Sequence, residues 1–163
     1  YDIFFSICGK DKKCKLVKTI KGNKTFSWTK SGLKTKTPYK AYVKGWTMKD
    51  GKKKYISTSP TLHLYTANGT NNYTVAKSIK VKKTKVKLKV GKKYKIKAKI
   101  IKRDKTKKLM PATHTKQLRY ISTNKKIATV SKSGKIKAKA KGSCKIYVYA
   151  ANGVSKAVKV TVR

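Results

Sequence analysis

The chain has 163 residues and a formal charge of +42, because 46 Lys and Arg face only four acids, all of them Asp. So few carboxylates argue against acid–base catalysis by paired acids, and a charge of this size attracts polyanions at low salt. No apolar run approaches the roughly 20 residues that span a bilayer. The apolar residues alternate with lysine over long stretches, and this patterning predicts folded β-sheet rather than disorder.

The first part of the chain contains short apolar runs separated by turn signals. Cys8 and Cys14 flank the turn sequence Gly-Lys-Asp-Lys-Lys. This spacing permits a disulfide across a hairpin, and two reduced thiols are the alternative. His63 alternates with two leucines, so we expect its side chain to face solvent.

A polar stretch without lysine occupies residues 67–76 and follows a strand-like run. Its Asn and Gly content is typical of a connection between domains. We therefore predict a first domain at 1–66, a linker at 67–76 and a second domain at 77–163.

The second domain carries the clearest period of two. Val158, Val160 and Val162 alternate with small or polar residues, and Cys144 keeps step with two apolar neighbours, which predicts that its thiol is buried. Turn signals such as Asn152-Gly153 separate the runs, as in antiparallel sandwiches or barrels.

Lysines alternate with the apolar residues on three of these strands and form predicted rows on the outer faces. They are Lys85, Lys87, Lys89, Lys95, Lys97, Lys99, Lys135, Lys137, Lys139 and Lys141. Such rows could bind wall teichoic acid, acidic glycans or nucleic acid without sequence specificity. The alternative is that the lysines are solvated and prevent edge-to-edge strand pairing.

No constellation for catalysis or cofactor binding can be built from these residues. The sequence lacks Cys-x-x-Cys, a His pair at ligand spacing, an Asp-rich calcium loop and a phosphate loop. His114 lies in a predicted loop without a sequence partner. We therefore predict no enzyme activity, no metal site and no cofactor.

Residues 1–66 resemble a fibronectin type III domain. The resemblance depends on Leu33, on Tyr39 six residues later and on the alternating strand that follows. It implies that the Tyr39 hydroxyl bonds back to the backbone at a strand corner. The opening strands of that family are not found before Tyr1, so we expect this domain to be partial or to be completed by another segment.

Residues 77–163 resemble a bacterial Ig-like domain of group 2. The elements that carry the resemblance are Ser-Thr-Asn at 122–124, Ala-Thr-Val at 128–130 and Gly-Lys-Ile at 134–136. The alternation predicts an all-β chain, and the two resemblances together imply two tandem immunoglobulin-like sandwiches, the first without its opening strands. Domains of this second family are found in bacterial cell-surface proteins beside other domains, often as adhesin stalks or wall-associated spacers. This resemblance also implies an extracellular or cell-surface location, with cell-wall components among the expected partners.

Overall fold

The structure is a computed structural model that describes residues 1–9, 11–22, 27–66, 73–110 and 115–163. The described residues form strands, turns and loops without a helix, so the prediction of an all-β chain is confirmed. For the same reason, no helix long and apolar enough to cross a membrane occurs in the described ranges. The chain divides into two compact units, Tyr1–Tyr73 and Thr74–Arg163.

The first unit is a single five-stranded sheet. Its strands are β1 (Asp2–Ile7), β2 (Lys15–Thr19), β3 (Pro38–Lys49), β4 (Lys52–Thr58) and β5 (Leu62–Tyr65). Strand β1 pairs with β2 and β3, and the other edge of β3 pairs with β4 and then with β5. All of these pairs are antiparallel. The described residues of this unit therefore form one layer, where a sandwich would have two.

Two polar side chains of this sheet test the sequence expectations. The Tyr39 hydroxyl accepts a hydrogen bond from the backbone N–H of Lys34 at 3.0 Å, the corner contact that the resemblance implied. That single contact does not identify a family, and the fibronectin type III assignment stays a prediction. The expectation for His63 is wrong: its side chain is 5% exposed, whereas Leu64 is 41% exposed. In the pairing of β5 with β3, His63 lies opposite Lys40 on the covered face of the sheet, and Leu64 lies on the other face.

Eleven further strands follow among the described residues, and the first of them spans the boundary between the two units. They are β6 (Tyr73–Thr74), β7 (Ala76–Val81), β8 (Lys85–Leu88), β9 (Lys93–Lys95), β10 (Ala98–Lys102), β11 (Lys108–Leu109), β12 (Leu118–Ser122), β13 (Ala128–Val130), β14 (Lys135–Ala138), β15 (Gly142–Ala150) and β16 (Ser155–Val162). Within the predicted linker 67–76, the structure describes strand β6 and Ala76, the first residue of β7. Residues 67–72 of that linker lie outside the described residues.

Nine of these strands form two layers, and β6 pairs with β11 in a separate two-stranded sheet. One layer has the order β12-β15-β16-β8, in which β8 runs parallel to β16. The other joins β7-β10 to β13-β14-β9 through the continuous run 93–102. Backbone bonds continue on both edges of that run, from Ile96 N to Gly134 O at 3.0 Å and from Lys82 N to Lys97 O at 2.9 Å.

The core lies between these two layers. Ile136 from one layer and Ile146, Val148, Val158 and Val160 from the other are fully buried. Cys144 is 7% exposed in the same cluster, so the predicted burial of its thiol is confirmed. Burial of each such aliphatic side chain contributes about 1.5–3 kcal/mol, and this cluster accounts for the stability of the second unit.

Candidate functional site

The residues that carry the resemblance of the second unit are engaged in its turns. The Ser122 hydroxyl donates to the carbonyl of Ala128 at 2.7 Å, and the Asn124 side chain accepts from the backbone N–H of Lys126 at 3.0 Å. Gly134 has a φ of +81°, and a Cβ atom there would lie 2.7 Å from the Tyr120 ring. These contacts give Ser122, Asn124 and Gly134 a structural role in the turns.

On the outer side of the β7-β10/β9-β14 layer, the large exposed side chains that lie opposite one another among the described residues are lysines. Lys95 lies directly opposite Lys135, Lys93 lies opposite Lys137, and Lys99 lies opposite Lys80. The structure thus brings two of the predicted rows together, and Lys97 is exposed in the same run. We call this side the lysine face, defined by Lys80, Lys93, Lys95, Lys99, Lys135 and Lys137.

The outer side of the other layer combines lysines with aromatic rings. Lys145, Lys159 and Lys85 lie opposite one another on β15, β16 and β8, and all three are exposed. The half-buried rings of Tyr147 and Tyr149 stack beside this row, with centroids 5.9 Å apart. We call this side the tyrosine face, defined by these five residues.

Sequence reasoning found Lys85 but missed Lys145 and Lys159. Their alignment depends on the register of the β15–β16 hairpin. The sequence feature that could have indicated this register is the Asn152-Gly153 turn. Lys145 and Lys159 lie at equal distances in sequence from Asn152, so a hairpin centred on this residue places them opposite each other. Lys89, Lys139 and Lys141 are exposed, but they lie just outside the strands.

The lysines of both faces lack acidic partners. The second unit contains one acid, Asp104, which accepts bonds from Thr106 and lies 3.7 Å from Lys107. Like charges directly opposite one another on a sheet repel. Within the described residues, each face is therefore a concentration of uncompensated positive charge. Lys95 alone among these lysines has a described side-chain bond, to the carbonyl of Ser133.

The first unit contains a carboxylate that is fully buried. Asp2 accepts hydrogen bonds from Tyr55 at 2.7 Å, from Thr19 at 2.8 Å and from the Lys53 ammonium at 2.9 and 3.1 Å. Burial opposes its ionisation, but these hydrogen bonds outweigh burial and lower the pKa of Asp2 to about 2. With every lone pair engaged, this carboxylate stabilises the sheet and has no capacity left for a substrate.

A cysteine and a histidine that are distant in sequence meet in the first unit. The Cys8 sulfur lies 3.4 Å from Nδ1 of His63, a pairing that sequence reasoning did not expect. Burial raises the pKa of the Cys8 thiol to about 11, although the nearby Lys40 charge acts in the opposite direction. The thiol is therefore protonated at neutral pH, whereas a nucleophilic cysteine needs a lowered pKa.

The structure also bears on the predictions for the Cys8–Cys14 pair and for metal binding. Cys8 and Cys14 are free thiols in the structure, and burial also raises the pKa of Cys14. A disulfide between them stays a prediction for oxidising conditions. Within the described ranges, no three His, Cys or Asp side chains are close enough to hold a metal ion. His114 lies outside the described residues.

The fold of the second unit defines its structural class. The second unit is a two-layer antiparallel sandwich with one parallel edge strand, and its motif residues serve turns and core. The family model of the bacterial Ig-like domain (group 2) matches residues 75–162, which is more than half of the chain. The chain therefore belongs to this family.

Solved structures of a surface-layer protein give weaker likenesses. The S-layer protein rSbsC(31-844) is 21% identical, with a TM-score of 0.45 over 78% of this chain and 16% of that one. Domains 4 and 5 of SbsC are 20% identical, with a TM-score of 0.42 over 77% of this chain and 64% of that one. The chain thus spans less than two thirds of either protein. A search of curated proteins gives no match. The family model, not these likenesses, assigns the chain.

Proposed function

We propose that this chain is a non-catalytic structural or adhesive module of a bacterial cell-surface protein, which spaces or presents other domains at the envelope. The observation that carries the proposal is the sandwich of residues 75–162, whose motif residues are engaged in turns and whose interior is a closed apolar core. Because a sandwich can serve many roles, the family supports the location and the structural role without naming a ligand. The proposed domain limits remain 1–66 for a fibronectin type III-like first domain and 77–163 for the second domain, and the division of the chain into two compact units supports a boundary in this region.

Surface location can be tested through the lysines themselves. Intact cells that produce the protein are treated with an amine-reactive biotin reagent that does not cross membranes, and a lysed sample serves as the reference. We expect the chain to be labelled about equally in both samples, while a cytoplasmic control protein is labelled only after lysis. Labelling of the chain only after lysis would contradict the surface location and with it the proposed function.

The second candidate function is non-specific binding of polyanions. The observation that favours it is the in-register pairing of lysines, such as Lys95 with Lys135 and Lys145 with Lys159, without acidic partners. Binding that releases counterions weakens steeply as salt rises. We therefore expect the full chain to bind polyphosphate, teichoic acid and duplex DNA at low salt. Absence of binding to all three at about 0.01 M salt, where charges act over about 30 Å, would dismiss this candidate.

A further inference from the structure

We propose that the tyrosine face binds an acidic polysaccharide, meaning a chain of sugar rings that carry carboxylate or sulfate groups. The inference rests on the second candidate function and deepens it, because it assigns one face and one class of polymer. It also distinguishes the tyrosine face from the lysine face, which carries a similar charge.

The first step of the argument is the alignment of the cations. Lys145, Lys159 and Lys85 lie on three adjacent strands in direct register. Adjacent strands are about 4.8 Å apart, so three ammonium groups lie along a line across the sheet. A linear polymer that crosses the strands can therefore contact all three with successive anionic groups.

The second step is the aromatic pair beside that line. Tyr147 follows Lys145 by two residues on β15, so the two side chains are neighbours on the same face at about 6.8 Å. The rings of Tyr147 and Tyr149 stack on each other with an angle of 29° between their planes. Ile121, directly opposite Tyr147, is 40% exposed and extends the apolar area.

The third step is the match between this arrangement and a sugar chain. A tyrosine ring offers an apolar body and a polar hydroxyl, which suits the C–H faces and hydroxyl groups of a sugar. Lysine ammonium groups supply point charges for the acidic substituents. A simple phosphodiester chain without rings would leave the aromatic pair unused.

The fourth step concerns nucleic acid, which also combines rings with negative charge. Proteins that bind single-stranded nucleic acid combine aromatic stacking with arginine. The planar guanidinium of arginine stacks on aromatic rings and forms bidentate hydrogen bonds with phosphates. Among the described residues, two arginines lie on this side: half-buried Arg119 directs its guanidinium towards the carbonyl of Ala151 at 3.5 Å, and exposed Arg163 follows the end of β16, away from the aromatic pair. The exposed cations of the tyrosine face are lysines, which favours the acidic sugar.

The last step is energetic. Lys159 has a lysine directly opposite on both sides, so the unliganded face carries repulsion that a bound polyanion relieves. A ligand that binds the folded state also stabilises it by mass action. Binding of the sugar should therefore raise the melting temperature of the chain, and uncharged dextran should not.

The experiment compares two double variants of the full chain that remove equal charge. Lys145→Gln with Lys159→Gln alters the tyrosine face, and Lys95→Gln with Lys135→Gln is the matched control on the lysine face. Binding is measured at 0.15 M salt, where charges beyond about 8 Å are screened. The probes are a defined oligogalacturonate, a heparin-derived sulfated oligosaccharide, oligothymidylate and dextran. Tyr147→Ala and Tyr147→Phe complete the set.

We expect at least one acidic oligosaccharide to bind at this salt and oligothymidylate to bind more weakly. The tyrosine-face double variant should weaken binding about tenfold, and the control should change it by less than about twofold. Tyr147→Ala should also weaken binding, whereas Tyr147→Phe, which keeps the ring, should retain it. The two acidic probes distinguish a carboxylated from a sulfated ligand.

Three results would overturn the inference. They are equal losses in both double variants, preferred binding of oligothymidylate, and absence of oligosaccharide binding at 0.15 M salt. Polyanion binding at low salt that both variants weaken equally would leave the second candidate function standing while it removes this face-specific inference. Melting curves of every variant identify any loss that comes from unfolding.

Discussion

The two units of the chain are stabilised by different kinds of contact. In the second unit, fourteen buried side chains of the described residues form one continuous apolar cluster between two layers. In the first unit, a single sheet has Tyr39 as its one buried hydrophobic side chain among the described residues, while Asp2 and His63 are buried polar groups. Of the ten large hydrophobic side chains that are exposed in the described part of the chain, eight also belong to the first unit.

This contrast shows how a chain with so much positive charge folds. The second unit places its lysines outside a complete apolar core, so its stability does not depend on ion pairs. The first unit combines aromatic stacking, such as Phe4 on Tyr42 at 4.9 Å, with the bonds around Asp2 and with Lys53 over the Trp46 ring at 4.6 Å. We therefore expect the first unit to respond to polar changes and the second unit to changes of volume.

The largest expected effect is on the core of the second unit. Ile146→Ala removes a fully buried side chain between the layers and should lower the free energy of unfolding by about 3 kcal/mol. Denaturant unfolding followed by hydrogen exchange in residues 142–162 measures this loss. Tryptophan fluorescence, which reports only on Trp28 and Trp46 of the first unit, should keep its midpoint. A shift of both probes by the same amount would show that the units unfold together.

The next effect breaks the polar centre of the first unit. Asp2→Asn removes the charge that faces Lys53 and weakens two further hydrogen bonds, so we expect a loss of about 2 kcal/mol. The tryptophan signal should shift to lower denaturant, while exchange in the second unit stays unchanged. Thr47→Ser, on the exposed part of β3, serves as the control. An unchanged tryptophan midpoint in Asp2→Asn would refute the stabilising role of this carboxylate.

A smaller effect is expected at the strand corner of the first unit. Tyr39→Phe keeps the buried ring and its stacking on Phe5 but removes the acceptor for the Lys34 N–H. The midpoint of denaturant unfolding, followed by tryptophan fluorescence, should fall by an amount that corresponds to a loss of about 1 kcal/mol in the free energy of unfolding. No loss would indicate that water replaces the hydroxyl, and the corner would then have no energetic role.

The smallest effect has the opposite sign. Lys159→Gln relieves repulsion from Lys145 and Lys85 on the tyrosine face, and it should raise the stability of the second unit by about 0.5 kcal/mol at low salt. The gain should disappear at high salt because exposed charges are screened. Lys125→Gln, on an exposed loop position, is the control. A gain that persists at 1 M salt would contradict the electrostatic explanation.

The sequence allowed the fold class to be predicted because the second unit alternates so regularly. Ile136, Ala138 and the three valines of β16 are buried as the period of two required. The sequence could not reveal contacts set by tertiary pairing. Cys8 and His63 meet only because β1 and β5 both pair with β3, and the outward expectation for His63 failed for that reason.

The candidate faces show the same limit. Alternation identified the lysines of single strands, such as Lys95 and Lys135, but the register between strands determines which of them lie opposite each other. The tyrosine face required the β15–β16 hairpin and the parallel pairing of β8 to be known together. The parallel pairing could not be predicted, because the turn signals indicated antiparallel neighbours.

The most direct test of this account is an acid titration of the full chain, with tryptophan fluorescence for the first unit and hydrogen exchange for the second. The folded pKa of Asp2, about 2, lies below its ordinary value of 3.8, so its stabilisation is complete above about pH 5 and is lost as the pH falls towards 2. We predict that the first unit loses stability in this range, that Asp2→Asn abolishes the pH dependence, and that exchange in the second unit stays slow. Simultaneous loss of both units, or an unchanged titration in Asp2→Asn, would contradict the account.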